Sequence, residues 1–244
     1  MYPTILTAAI NETLDYAINR QACVLIQGRT GRGKTVAVTA WAARKRDAYY
    51  IDCPVSTSTE TIASAVASTV GTPSNAALEA FLSSHRCILI LDECARLIPS
   101  RAGRARALEY LRRLHDRTGV ALAFVATDYF MRECSHTGLG DYLEQFIGRF
   151  RDKLIIPDFI SREECTDILK PYITPTDELV DFAYKTANDR GRGGARRLWW
   201  LLQDASAAAS RARITMDLKF LRAALADYEG RDRLPVSPTS TASK

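Results

Sequence analysis

Histidine is scarce in this sequence, and its cysteines are arranged without pairing. Three histidines and six cysteines, with no C-x-x-C pair among them, supply neither the ligand spacing of a zinc module nor a disulfide framework. Long apolar runs are also missing. Runs such as Val24–Ile26 and Ile88–Leu91 are far short of the roughly 20 residues that a membrane span needs. No basic region precedes a hydrophobic stretch near Met1, so the expectation is a cytoplasmic protein that neither enters nor crosses a membrane. A mean hydropathy of −0.13, with 47% hydrophobic and 25% charged residues, describes a chain able to bury a sizeable core.

A large excess of one charge is absent as well. The net charge is +5, which permits nucleic-acid binding without requiring it. The basic residues are unevenly chosen, 26 of the 33 being arginine, whose planar guanidinium suits phosphates and charged subunit interfaces.

Short apolar strands alternate with helical stretches over the first two thirds of the chain. A helix over Ile5–Ile18 precedes a strand at Cys23–Ile26, a glycine-rich loop and a helix from Lys34 to about Lys45. Strands follow at Ala48–Cys53, Cys87–Leu91, Val120–Ala126 and Lys153–Ile156. Helices are expected from Glu60 to Val70 (begun by Thr57), and over Ala76–Ser84, Arg104–Thr118 and Leu139–Arg149. Such alternation predicts an α/β fold with a parallel sheet. Beyond Pro157 only helical patterns remain, at Arg162–Leu169, Asp177–Asp189, Gly194–Ala209 and Met216–Tyr228. The expected organisation is an α/β unit over 1–156, a helical subdomain over 157–229 and a disordered tail rich in Pro, Ser and Thr over 230–244.

Chemistry concentrates at the strand ends. Gly28, Arg29, Thr30, Gly31, Arg32, Gly33, Lys34 and Thr35 satisfy G-x-x-x-x-G-K-[S/T] between a strand and a helix. In such a loop backbone N–H groups surround phosphate oxygens, Lys34 reaches the β- and γ-phosphates, and the Thr35 hydroxyl ligates Mg²⁺. The apolar strand before Asp92 and Glu93 delivers two carboxylates to the edge where an α/β sheet binds ligands. Asp92 is expected in the Mg²⁺ shell and Glu93 beside the attacking water. That pair favours an ATPase over a small-molecule kinase.

Thr127 ends the next strand, either contacting the γ-phosphate or capping the chain. Arg149, with Arg151 as fallback, is either an arginine finger reaching a neighbouring subunit or a surface ion pair. Gly193 and Gly194 open a helix bearing Arg196, a basic start that the helix dipole disfavours and that phosphate contact would explain. Arg101, Arg104 and Arg106, near Pro99 and Gly103, either track a nucleic-acid backbone or begin a solvated helix. Thr57 and Ser58 are candidates for the same surface, although helix capping accounts for them equally well.

Together these pieces resemble the AAA+ ATPases over about residues 5–228. The resemblance implies a P-loop domain with a helical lid, ATP and Mg²⁺ as cofactors, sensor I at Thr127, a finger near Arg149 and sensor II at Arg196. The loop Gly28–Thr35, the strand Tyr-Tyr-Ile-Asp-Cys and the approach Thr-Gly-Val-Ala-Leu-Ala-Phe-Val-Ala-Thr are similar in character to DNA-transposition ATPases of the MuB and TnsC type. Many relatives carry asparagine where Thr127 stands. That narrower resemblance implies a homo-oligomer, filament or ring, on double-stranded DNA that activates a transposase. A helicase-loader or initiator-like ATPase, or another remodeller acting on a protein client, is the alternative.

Overall fold

The computed structural model describes residues 4–56, 58–98, 105–136, 146–189 and 194–231. Two compact units divide between Phe159 and Ile160. The first is built on a five-stranded parallel sheet ordered β2-β3-β4-β1-β5, with β1 at Cys23–Gln27, β2 at Ala48–Asp52, β3 at Ile88–Asp92, β4 at Ala121–Ala126 and β5 at Phe150–Ile155.

Burial follows the sequence. The three inner strands are almost continuously apolar and buried along their length, as parallel strands covered on both faces must be. Leu25, Leu89, Leu91, Leu122 and Phe124 enter one core, and Val24, Ile26, Ile88, Ile90 and Val125 enter the other. That division is the two-residue alternation of a strand. At the edge, β5 exposes Arg151 and Lys153, charges that discourage further strand pairing.

The helices of this unit are α1 (Ile5–Arg20), α2 (Lys34–Ala42), α3 (Thr59–Val70), α4 (Asn75–Ser84), α5 (Arg106–Thr118) and α6 (Tyr129–His136). α5 buries Ala107, Leu108, Leu111 and Leu114 at helical spacing, and its other face carries a network joining Arg112, Arg113, Glu109 and Asp116.

The local chemistry revises several expectations. α3 is capped by Ser58, whose hydroxyl accepts from the Thr61 N–H at 3.5 Å, so the helix starts one residue away from the Thr57-initiated frame. A single 3-10 turn, Cys94–Leu97, follows β3, and α6 lies between β4 and β5; neither is among the expected elements. β5 begins at Phe150, three residues before the expected Lys153. Arg149 lies in a turn, while most of the expected helix Leu139–Arg149 falls outside the described residues.

The second unit consists of α7 (Arg162–Leu169), α8 (Asp177–Ala187), α9 (Gly194–Ala212) and α10 (Leu218–Arg231) around Leu169, Ala183, Leu198, Leu202 and Leu221. α7 opens with a capping box in which Ser161 and Glu164 each bond the other's backbone N–H. The Asn188 side chain bonds both backbone groups of Ile160, tying the end of α8 to the start of the unit. The expected tail is described only as far as Arg231, and its first two residues are helical. Among the described residues no helix is long and apolar enough to cross a membrane.

Candidate functional site

Gly28 carries the chain out of β1. Its N–H donates to Ala126 O at 3.2 Å, continuing the sheet, and a Cβ there would stand 2.7 Å from Ile156 Cβ. Only glycine allows that approach. The loop closes at Gly33, whose φ of 86° sets the left-handed turn into α2.

Lys34 is buried although it is the first residue of α2. Its Nζ donates to the carbonyls of Gly28 at 2.6 Å and Arg29 at 3.0 Å, placing the ammonium inside the loop. Burial lowers its pKa; the carboxylates of Asp92, Glu93 and Asp128 oppose that shift, and Arg32 reinforces it. Arg32 is itself buried, whereas Arg29, Thr30 and Thr35 are exposed. Arg29 pairs with Asp158 at 3.3 Å, both side chains more than half open to water.

At the end of β3, Asp92 is 2% exposed. Its Oδ2 accepts from Thr35 Oγ1 at 2.7 Å and from Tyr50 Oη at 3.0 Å, and its Oδ1 accepts from the Glu93 N–H at 2.8 Å. Glu93 is half-buried and left-handed, with φ 52° and ψ 35°. A non-glycine residue there stores strain. Burial and the Asp92 carboxylate both push the Tyr50 phenol up, so it remains a donor.

Asp52 is the register partner of Asp92 on β2. Like charges directly opposite repel, and the structure meets this by turning Asp52 to Arg96 of the 3-10 turn at 2.7 Å, while Arg96 also donates to Cys53 O at 2.9 Å. Sequence reasoning overlooked Tyr50 and Arg96.

Thr127 is half-buried at the end of β4, and its carbonyl accepts from the Phe130 N–H at 3.1 Å, opening α6. Asp128 pairs with Arg132 at 2.9 Å. The loop after β1 and the ends of β3 and β4 therefore converge on one edge of the sheet. Arg149 lies apart from this convergence in the contacts it makes: it pairs with Asp116 at 3.2 Å, and Asp116 also holds Arg112 at 2.6 Å.

In the second unit the two arginines of α9 differ. Arg197 is buried and pairs with Asp189 at 3.0 Å and with Glu229. Arg196 is exposed, its guanidinium 5.9 Å from the centre of the Trp200 ring. Of the remaining expectations, Arg106 is the exposed first residue of α5 and Ser58 is a helix cap. Thr57, Pro99, Arg101, Gly103, Arg104 and Gly193 lie outside the described residues.

Residues 18–133 match the family described as AAA domain. The chain contains an AAA ATPase domain. Its fold is the AAA+ α/β fold with a C-terminal helical subdomain, consistent with ATP hydrolysis, and a P-loop AAA+ domain implies use of ATP and Mg²⁺ in general. Among solved structures, domain III of the Thermotoga maritima replication initiation protein DnaA is similar at 17% identity, with a TM-score of 0.59 and 91% of each chain covered. Drosophila ORC bound to DNA is similar at 17% identity and TM-score 0.58, over 91% of this chain and 60% of that one. A mutant of Thermotoga maritima RuvB gives 17% and 0.57, over 94% of this chain and 74% of that one. At such identities the likeness is one of fold. The chain thus spans about 60% of the length of the ORC chain it resembles. A comparison with curated proteins found none that matches.

The donor set fits a Mg²⁺-bound nucleoside triphosphate. Thr35 spends its hydroxyl proton on Asp92, so its oxygen lone pairs stay available to a cation. Lys34 supplies a buried ammonium within the glycine loop, and Asp92 supplies a carboxylate able to accept from metal-bound water.

Proposed function

We propose that this protein is an oligomeric AAA+ ATPase of the initiator or remodeller type that associates with DNA and couples ATP hydrolysis to a change in that association or in a protein client. The observation that carries it is the 2.7 Å bond between Thr35 and Asp92, with Glu93 next in the chain. This brings the hydroxyl of the phosphate loop, a buried carboxylate and a second carboxylate to one strand edge.

In this reading Lys34 holds the β- and γ-phosphates, Thr35 and Asp92 hold Mg²⁺, and Glu93 accepts a proton from the attacking water. Bound Mg²⁺ supplies charge neutralisation between the phosphates. The backbone N–H groups of Gly28–Thr35 orient the nucleotide, and Thr127 faces the γ-phosphate from the end of β4. Arg149, with Arg151 as the alternative, acts on a neighbouring subunit's nucleotide. Residues 157–229 serve as a lid in which Arg196 reports nucleotide state. Arg196 suits this better than Arg197, which is committed to Asp189 and Glu229.

DNA association is supported by fold likeness to ORC bound to DNA and to the replication initiator DnaA bound to AMPPCP and single-stranded DNA, the latter at 15% identity and TM-score 0.54. The narrower role, a filament on double-stranded DNA that activates a transposase, rests on the character of Gly28–Thr35, Tyr49–Cys53 and Thr118–Thr127. The initiator or remodeller reading has both sequence motifs and fold likeness behind it. Electron microscopy of the protein with ATP, with and without duplex DNA, separates the two. Closed rings or short assemblies without DNA support the initiator or remodeller reading, and filaments that require both ATP and duplex DNA support transposition.

A further inference from the structure

The carboxylate of Asp92 has a third anchor that belongs to neither the phosphate loop nor its own strand. Tyr50 lies on β2, opposite Ile90 and two residues short of Asp52, the register partner of Asp92. In a parallel pair this places Tyr50 and Asp92 on the same sheet face, diagonal to one another, within reach of a long aromatic side chain. Its ring packs against the core formed by Ile88 and Ile90, and its hydroxyl reaches Asp92 Oδ2 at 3.0 Å.

Oδ2 therefore receives two donors, Thr35 and Tyr50, and Oδ1 receives the Glu93 N–H. Three donors from three segments fix the plane of the carboxylate. Without Tyr50, Oδ2 keeps only the exposed Thr35 side chain, and the carboxylate gains freedom to turn about its own axis.

We infer that Tyr50 is a positioning residue for the Thr35–Asp92 pair: it holds the Asp92 carboxylate so that the Thr35 hydroxyl keeps its proton on Asp92 and its lone pairs on Mg²⁺. The inference rests on the proposed nucleotide site and concerns how that site holds its cation. Tyr50 is no catalytic residue, since its hydroxyl acts through Asp92. Its effect is expected in the part of nucleotide affinity that Mg²⁺ supplies. Affinity measured in EDTA, which the loop backbone and Lys34 provide, should be unaffected.

The experiment compares the full chain with Tyr50→Phe and Tyr50→Leu, titrating each with a fluorescent ADP in Mg²⁺ and in EDTA and recording thermal melts alongside. Tyr50→Phe keeps the ring and its packing. The expected result is an affinity in Mg²⁺ about tenfold weaker than wild type, the order of one lost hydrogen bond to a charged group, with unchanged affinity in EDTA; the melt falls modestly with or without Mg²⁺, because the Tyr50–Asp92 bond is already present without nucleotide. Tyr50→Phe indistinguishable from wild type in Mg²⁺ overturns the inference, including the case in which only Tyr50→Leu is impaired, because packing alone then explains the residue. Equal weakening in Mg²⁺ and in EDTA overturns it too. A wild-type chain whose ADP affinity gains nothing from Mg²⁺ overturns the nucleotide-site reading itself, a result distinct from a wild-type gain that Tyr50→Phe preserves.

Discussion

Glu93 donates its backbone N–H to the Asp92 carboxylate at 2.8 Å while holding a left-handed backbone with φ 52°. The two acidic residues are thus bound together by a turn that a glutamate enters at a cost of roughly 1–2 kcal/mol. The strain lies beside the buried carboxylate that meets Thr35, where a functional reason for tolerating it is on hand.

That relationship predicts a separation of stability from activity. Glu93→Gly should leave the unfolding free energy within about 0.5 kcal/mol of wild type or raise it, whereas Glu93→Val, branched at Cβ, should lower it by roughly 1–2 kcal/mol. Both should lose ATP hydrolysis. Chemical denaturation distinguishes them, and a valine tolerated as well as glycine would show that the turn is unstrained.

Lys34→Ala removes the one ammonium inside the phosphate loop. Nucleotide affinity should fall by about 100-fold or more, since the backbone donors alone cannot neutralise the phosphates. Isothermal titration with a non-hydrolysable ATP analogue checks this, and retention of wild-type affinity would place the nucleotide elsewhere.

Arg149 is tied to Asp116 in the isolated chain, an exposed pair of little intrinsic worth. Arg149→Ala should therefore leave stability within about 0.5 kcal/mol of wild type while lowering ATPase activity of the assembled protein. Mixing Arg149→Ala with Lys34→Ala protein should restore part of that activity, because each then contributes the half that the other lacks. No recovery at any mixing ratio argues against action between subunits.

The neighbouring arginines of α9 should behave oppositely. Arg197→Ala breaks two ion pairs at a side chain 5% exposed and should cost about 2–3 kcal/mol, below the ~3–5 of a fully buried pair because Asp189 and Glu229 are open to water. Arg196→Ala, which removes a contact over an exposed ring, should cost less than about 1 kcal/mol. Equal losses in thermal denaturation would contradict this division.

Much of the fold could be read from sequence because the inner strands are unbroken apolar runs and the phosphate loop announces the turn after β1. The less visible parts depend on contacts between segments. Tyr50 meets Asp92 only once β2 and β3 are in register, and the spacing from Tyr50 to Asp92 along the chain gives no hint of it. Arg96 is needed because that same register opposes Asp52 to Asp92. Arg197 did leave a signal: it stands four residues before Leu201 on the stripe that includes Leu198, Leu202 and Ala205, so helical phase alone places it inward. α6 left one too, in Phe130 and Cys134 four residues apart and both buried. The cap of α3 was misplaced because Ser56, Thr57, Ser58 and Thr59 all suit that role, and geometry selected Ser58.

The central claim, that Glu93 activates water beside a Mg²⁺ held through Thr35 and Asp92, is tested most directly by single-turnover ATP hydrolysis in wild type and Glu93→Gln, with bound nucleotide measured in the same samples. Glutamine keeps the shape and removes the base, so hydrolysis should slow by about 100-fold or more while ATP and Mg²⁺ remain bound. Unchanged turnover in Glu93→Gln, with ATP bound as in wild type, would contradict the account and leave Glu93 a structural carboxylate.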